Sequence, residues 1–202
     1  KFSVKGTDKN IDFGSVALQA YIAHKFKGQD LEPGLKEGAF WDPTNFTFPA
    51  GVHICEVEID PETGVTRIDR WTAVDDFGRV INPMIVEGQT IGGAVQGIGG
   101  ALLEGFRYDG EGQLLTGSFM DYLLPTASDI PHISVVHHES PSPLNPLGVK
   151  GLGEGGAISP PVAIANAVCD ALSDYAAEFN ITPITPEDVY RVLRAGVAPS
   201  HR

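Results

Sequence analysis

Apolar and polar residues alternate one by one along two stretches of the chain, with a turn between them. Cys55, Val57 and Ile59 are interleaved with Glu56 and Glu58; Asp60-Pro61-Glu62-Thr63-Gly64 then brings turn chemistry, and alternation resumes from Val65 to Val74. A period of two marks a strand with one buried face, and a break rich in Pro, Asp and Gly between two such runs predicts a β-hairpin. The strand-like pattern starts near Phe46. Upstream, residues 14–26 place Val16, Ala20, Ile22 and Phe26 at roughly helical intervals with Gly28 as a stop, predicting a short amphipathic helix. Downstream, Asn82-Pro83 couples an N-cap to a residue whose φ suits the first helical turn, predicting a helix from Pro83.

The remaining elements are predicted in the same way. They are a second hairpin around Asp109-Gly110-Glu111-Gly112, a strand over 133–138, and a Ser/Pro/Gly-rich loop over 139–156. A helix from about Pro160 to Ala177, capped by Ser159, follows, and a last short helix is opened by Thr185-Pro186-Glu187-Asp188. Hairpins and helices in this order predict an α+β fold, with residues 1–81 and 82–202 as one way of dividing it.

The helix after Asn82 carries six glycines between Gly88 and Gly100, and each interior glycine costs about 1 kcal/mol relative to alanine. Two causes account for such a penalty: tight packing against another element, or close approach of the backbone to a ligand. The sequence leaves both open. A second glycine cluster, Gly151-Leu152-Gly153-Glu154-Gly155-Gly156, fits the spacing G-x-G-x-x-G. A dinucleotide-binding turn would need a strand running into it and a helix opening within it. Three prolines in ESPSPLNPLGVK forbid the strand, and the helix is predicted only after Ser159. The phosphate-binding G-x-x-x-x-G-K-[ST] is absent as well.

What stands out instead is the single acid among those glycines. Glu154 is either a solvated loop carboxylate or a base whose uncrowded neighbours let it meet a bound group. The Ser159-Pro160-Pro161 helix start nearby would offer free N–H groups to an anion. Other titratable residues are weaker candidates. His137 and His138 are adjacent on a strand, so they point to opposite faces and cannot share a metal; no metal-ligating set is expected. Asp75-Asp76 is read as turn chemistry, and no Ser/His/Asp arrangement suggests a triad.

Composition narrows the function classes. A formal net charge of −12 over 202 residues would repel nucleic acid. The longest mostly apolar run, Ala157 to Leu172, is interrupted by Asn166 and Asp170, so no membrane span is expected. No secretory segment is visible at the start, which makes the cytoplasm the default location. Cys55 and Cys169 lie far apart and are expected to be buried free thiols. The chain opens on Lys1 and is expected to be a piece of something longer.

Three longer stretches carry a resemblance. VDDFGRVINPMIVEGQTIGGAVQGIGGALLE, MDYLLPTASDIP and SPSPLNPLGVKGLGEGGAISPPVAIANAVCDAL resemble, in this order, the C-terminal part of the large subunit of the molybdenum hydroxylases. This is the xanthine dehydrogenase and aldehyde oxidase family, and the wording is closest to its aerobic carbon monoxide dehydrogenase-like branch. The resemblance implies a molybdenum-molybdopterin cytosine dinucleotide cofactor, with binding shared by segments outside this chain. It places the family's glutamate on Glu154, as a general base that removes a proton from a hydroxyl on the metal, and the family's glutamine on Gln96. Gly97, Lys150, Gly151 and Gly153 are placed beside the cofactor. It further implies oxidation of a small substrate such as an aldehyde, an N-heterocycle or carbon monoxide. The partners implied are the remainder of the large subunit together with iron–sulfur and FAD subunits in a hetero-oligomer. The competing reading is a non-catalytic scaffold portion that holds no cofactor alone.

Overall fold

The structure, a computed structural model, describes residues 1–22 and 32–195. The chain divides into two compact units, Lys1–Asp42 and Pro43–Arg202, so that hairpin, glycine-rich helix and glutamate loop all lie in the second. In the first unit, β1 (Phe2–Ser3) pairs antiparallel with β2 (Asn10–Ile11). The helix α1 follows as Phe13–Tyr21, and the Asp12 carboxylate caps it by accepting from the Ser15 N–H at 2.9 Å. Phe26 and the stop at Gly28 lie outside the described residues.

The hairpin of the second unit is formed by β3 (Ala50–Ile59) and β4 (Thr66–Asp76). It begins later than Phe46, because Pro49 has no N–H to give a ladder, and Phe46 and Phe48 stay exposed. The turn closes as its residues dictate: Asp60 accepts from the Glu62 N–H and the Thr63 hydroxyl, while Gly64 takes a φ of +75°. Cys55, Val57 and Ile59 are half-buried and Glu56 and Glu58 exposed, as the alternation requires. One feature escapes that pattern. The register steps from Glu56↔Arg70 to Val57↔Ile68, so Asp69 is an additional residue, and Ile68 and Trp71, three apart, both face the core.

The strand β5 (Ile133–His137) joins the other edge of β4 in parallel, giving the order β3-β4-β5. Two helices cover one face of this sheet: α2 (Pro83–Leu102), packed on β5, and α4 (Pro160–Ala171), packed on β3. Trp71, Ala73 and Ile133 of the sheet meet Ala94, Ile98 and Ala101 of α2 and Ile164 and Val168 of α4 in one core. This is the expected α+β architecture. The last helix, α5 (Pro186–Ala195), opens as predicted on a reciprocal cap between Thr185 and Asp188, and buries Val189 and Val192 in the same core.

Three local expectations are corrected. The helix predicted to run to Ala177 stops at Ala171; a 3-10 turn (Ser173–Tyr175) and a left-handed Ala176 at φ +50° then turn Ala177 and Phe179 back into the core. The hairpin at Asp109–Gly112 is reduced to a single bridge between Tyr108 and Leu114. Ser159 is not a side-chain cap, because a helical turn, α3 (Gly155–Ile158), precedes it and its own backbone is already helical. The N–H groups expected there for an anion are fewer than a helix start usually offers: Pro160 and Pro161 carry none, and the Ala163 N–H is given to the Ser159 carbonyl.

Candidate active site

Asn82 starts α2 as predicted, its side-chain oxygen accepting from the Ile85 N–H at 3.3 Å, with Pro83 in the first turn. Its glycines then divide by face. A Cβ built on Gly93 would lie 2.9 Å from the backbone of Gly156, and one on Gly97 would lie 2.8 Å from Pro160. Gly99 similarly abuts Glu104 and Pro125, whereas Gly88, Gly92 and Gly100 face open space. Close helix packing therefore explains Gly93, Gly97 and Gly99, the first of the two causes the sequence allowed.

The crossing of α2 over the chain at Gly155–Gly156 creates a cleft of about 240 Å³. Gln89, Gly92, Gly93 and Gln96 line one side, and Gly153, Glu154, Ala157 and Ile158 the other. Gln89 and Gln96 lie seven residues apart, two turns of one helix face. The family resemblance points to Gln96 alone, although this spacing puts Gln89 on the same face of the helix. The Gln89 amide donates to the Gly153 carbonyl at 2.5 Å, joining the two walls next to the acid. Glu154 occupies the N-cap position of α3 but makes no side-chain cap bond. Its carboxylate is exposed at the cleft.

Of the residues expected beside a cofactor, Gln96, Gly153 and Glu154 come together in this cleft, and Gly97, Lys150 and Gly151 lie outside its lining. Gly97 is turned to Pro160. The Gly151 N–H donates to the Thr47 carbonyl. The Lys150 ammonium donates to Asp76 at 2.8 Å and to the Ser140 hydroxyl at 2.9 Å.

Asp76 is thus more than turn chemistry. It accepts from the Gly78 N–H within its own turn and from the Ser140 N–H across the chain. Burial pushes its pKa upward, but the bonds from Lys150, Ser140 and Gly78 outweigh that and hold the carboxyl well below the usual carboxylate range. Asp75 also belongs to the interior, where it meets the buried His53 ring at 3.3 Å. The thiols Cys55 and Cys169 are free but only half-buried; burial pushes the Cys55 thiol up to about 12.

Among the described residues no group of three or more His, Cys, Asp or Glu side chains could hold a metal ion, and no helix is long and apolar enough to cross a membrane. A metal at this cleft would need ligands from outside these residues, such as an organic group. The cleft suits such a ligand: a carboxamide and a carboxylate are among its lining, and beyond the α-carbons of Gly92 and Gly153 lies open space that a side chain would fill.

Comparison with known proteins bears on that ligand. Residues 1–131 match the family described as Molybdopterin cofactor-binding domain. Over 190 residues the chain is 44% identical to the 6-hydroxypseudooxynicotine dehydrogenase complex subunit gamma of Paenarthrobacter nicotinovorans, covering 94% of this chain and 24% of that protein. It is 40% identical to the carbon monoxide dehydrogenase large chain of Hydrogenophaga pseudoflava, over 96% of this chain and 24% of the relative. The crystal structure of quinoline 2-oxidoreductase from Pseudomonas putida 86 superposes with a TM-score of 0.84 at 44% identity, covering 92% of this chain and 24% of that one. The chain spans about a quarter of the length of these relatives. It belongs to the molybdopterin cofactor-binding domain family of the molybdenum hydroxylases.

Proposed function

We propose that the chain forms the glutamate-bearing wall of the active site in the large subunit of a molybdenum hydroxylase, with Glu154 as general base. The observation that carries this is the cleft itself: a carboxylate without a capping role lines the same cleft as Gln96, with open space at Gly92 and Gly153. When bound, the molybdenum cofactor supplies the redox change and the oxygen that is transferred. The protein's part is proton transfer and placement. Glu154 accepts a proton on a carboxylate oxygen at the mouth of the cleft, and the Gln96 amide orients the bound group by hydrogen bonding. Gly153 lets that group come close to the backbone, while Gly97, Gly151 and Lys150 hold the walls from behind. The cofactor is taken to be the cytosine dinucleotide form, shared with segments outside this chain.

The substrate is a small molecule of the kinds named for the relatives, a heteroaromatic compound or carbon monoxide, or an aldehyde. Iron–sulfur and FAD subunits would take the electrons, in a soluble cytoplasmic hetero-oligomer. In the complete enzyme, Glu154→Gln removes the base while preserving shape, so turnover is expected to fall by about 10²–10⁴-fold with molybdenum content retained. Near-normal turnover in that variant would exclude the role.

A second reading is favoured by the size of the cleft. About 240 Å³ falls below the roughly 300–1,000 Å³ of a small-molecule pocket, and Glu154 is exposed. On that basis the 202-residue chain alone would be a scaffold portion holding no cofactor. Molybdenum analysis of the isolated chain tests the scaffold reading: metal near one per chain refutes it, while absence of metal is expected of any site shared with segments outside this chain.

A further inference from the structure

We propose that Asp76 is a positioning residue for Glu154, acting through Lys150; the proposal rests on Glu154 being the base. Asp76 ends β4 and gathers donors from three parts of the chain. One carboxylate oxygen accepts from the Gly78 N–H at 2.8 Å and the Ser140 N–H at 3.1 Å. The other accepts from the Ser140 hydroxyl and from the Lys150 ammonium, the latter at 2.8 Å. The pair is largely shielded, with side-chain exposures of 16% for Lys150 and 14% for Asp76, so losing one partner strands the charge of the other.

The backbone reinforces the same junction. Lys150 donates its N–H to the Phe77 carbonyl at 2.9 Å, and Arg79 donates to the Gly148 carbonyl at 2.9 Å. Gly78, at φ +68°, lies so close to Gly148 and Lys150 that a Cβ there would collide with both. Only Gly151-Leu152-Gly153 separates Lys150 from Glu154; two glycines in three residues give that link little stiffness of its own, so its place depends on the Gly151 bond to Thr47, the Gln89 bond to Gly153 and the Lys150 anchor. On the far side of Glu154, a Cβ on Gly155 would strike the Phe77 ring. The short stretch from Asp76 to Gly78 therefore touches the loop before and after the base. Lys150, on this geometry, serves the site by anchoring the loop and not by touching the bound group.

The test uses the full-length large subunit in its holoenzyme, assayed with whichever N-heterocycle, aldehyde or carbon monoxide it oxidises, together with hydrogen exchange of the 150–156 amides. Asp76→Asn keeps the shape and the acceptor for the Gly78 and Ser140 N–H groups but replaces the oxygen that accepts from the Ser140 hydroxyl and Lys150 and removes the charge that holds Lys150. A displacement of about 1 Å at a catalytic group can cost about 10²-fold. Turnover per bound molybdenum is therefore expected to fall by about 10–100-fold with KM little changed, and the loop amides to exchange faster. Lys150→Met is expected to show the same loss, and Lys150→Arg to restore part of it. In a Glu154→Gln background, Asp76→Asn should have no further effect on turnover, because both changes act on one proton transfer.

An Asp76→Asn enzyme with parental turnover per molybdenum and unchanged loop exchange, beside an inactive Glu154→Gln, overturns the positioning role alone. Reduced molybdenum content with normal turnover in the loaded fraction overturns it as well, leaving a purely structural part. Activity surviving in Glu154→Gln overturns the general-base reading on which it stands.

Discussion

The crossing of α2 over Gly156 can be probed by adding one methyl group. In Gly93→Ala the new Cβ would sit 2.9 Å from two backbone atoms of Gly156 and 3.0 Å from the Ala157 nitrogen, where ordinary contact begins at 3.4 Å. Backbone cannot rotate aside as a side chain can, so helix and loop must part by about half an ångström. Overpacking of this kind costs about 1–3 kcal/mol, offset by about 1 kcal/mol of helix propensity gained over glycine. The net is a destabilisation of about 0–2 kcal/mol. Gly88→Ala is the control on the same helix: nothing lies within 4 Å of the added carbon, so only the gain of about 0.5–1 kcal/mol remains. The two variants should differ by about 1–3 kcal/mol, or about 2–12 °C in Tm for a protein of this length. Thermal and urea unfolding followed by circular dichroism measure both quantities. A Gly93→Ala protein as stable as Gly88→Ala would refute the backbone-to-backbone contact.

Two further predictions come from titrating groups. The folded-state pKa of Asp76 lies below its unfolded value of about 4. Its contribution to stability is therefore fully present above pH ~4 and is lost as pH falls toward the folded value. Asp76→Asn should lower the urea midpoint at pH 7, and the gap to the parent should shrink on acidification below pH ~4; a gap that stays constant would contradict the ion pair with Lys150. Cys55, pushed up to about 12 by burial and by the neighbouring Glu56, should be nearly inert to a thiol reagent at pH 8 in the folded protein and react at the rate of a free thiol in denaturant.

How far the sequence reaches depends on the range of the interaction involved. The turn from Asp60 to Gly64, the Asn82-Pro83 helix start and the Thr185–Asp188 cap are fixed by neighbours within a few residues, and each was legible as such. The additional residue at Asp69 and the parallel pairing of β5 were not, because they depend on which side chains meet Trp71 and Ile133 across the sheet. Ser159 has the chemistry of an N-cap, and it failed only because the loop before it is drawn into a helical turn under α2. At the site, the lone acid between glycines drew the eye to Glu154. Asp76, 74 positions from Lys150, has the look of turn chemistry because one of its four bonds, from the Gly78 N–H, is local, while the other three come from Ser140 and Lys150.

Gly93 of α2 and Gly156 beside Glu154 have one cause between them. Gly93 and Gly156 meet backbone to backbone, which draws α2 close enough for Gln89 to reach the Gly153 carbonyl and for Gln96 to share a cleft with Glu154. On the other side, Lys150 ties the start of the same loop to Asp76, and Phe77 packs against Gly155. Every one of these contacts is made by a neighbour of Glu154: Lys150, Gly153, Gly155 or Gly156. A carboxylate that bonded to its own scaffold would spend its lone pairs there. Holding the acid through its neighbours fixes its place and leaves its side chain without a capping bond, which is the division of labour the proposed general base needs.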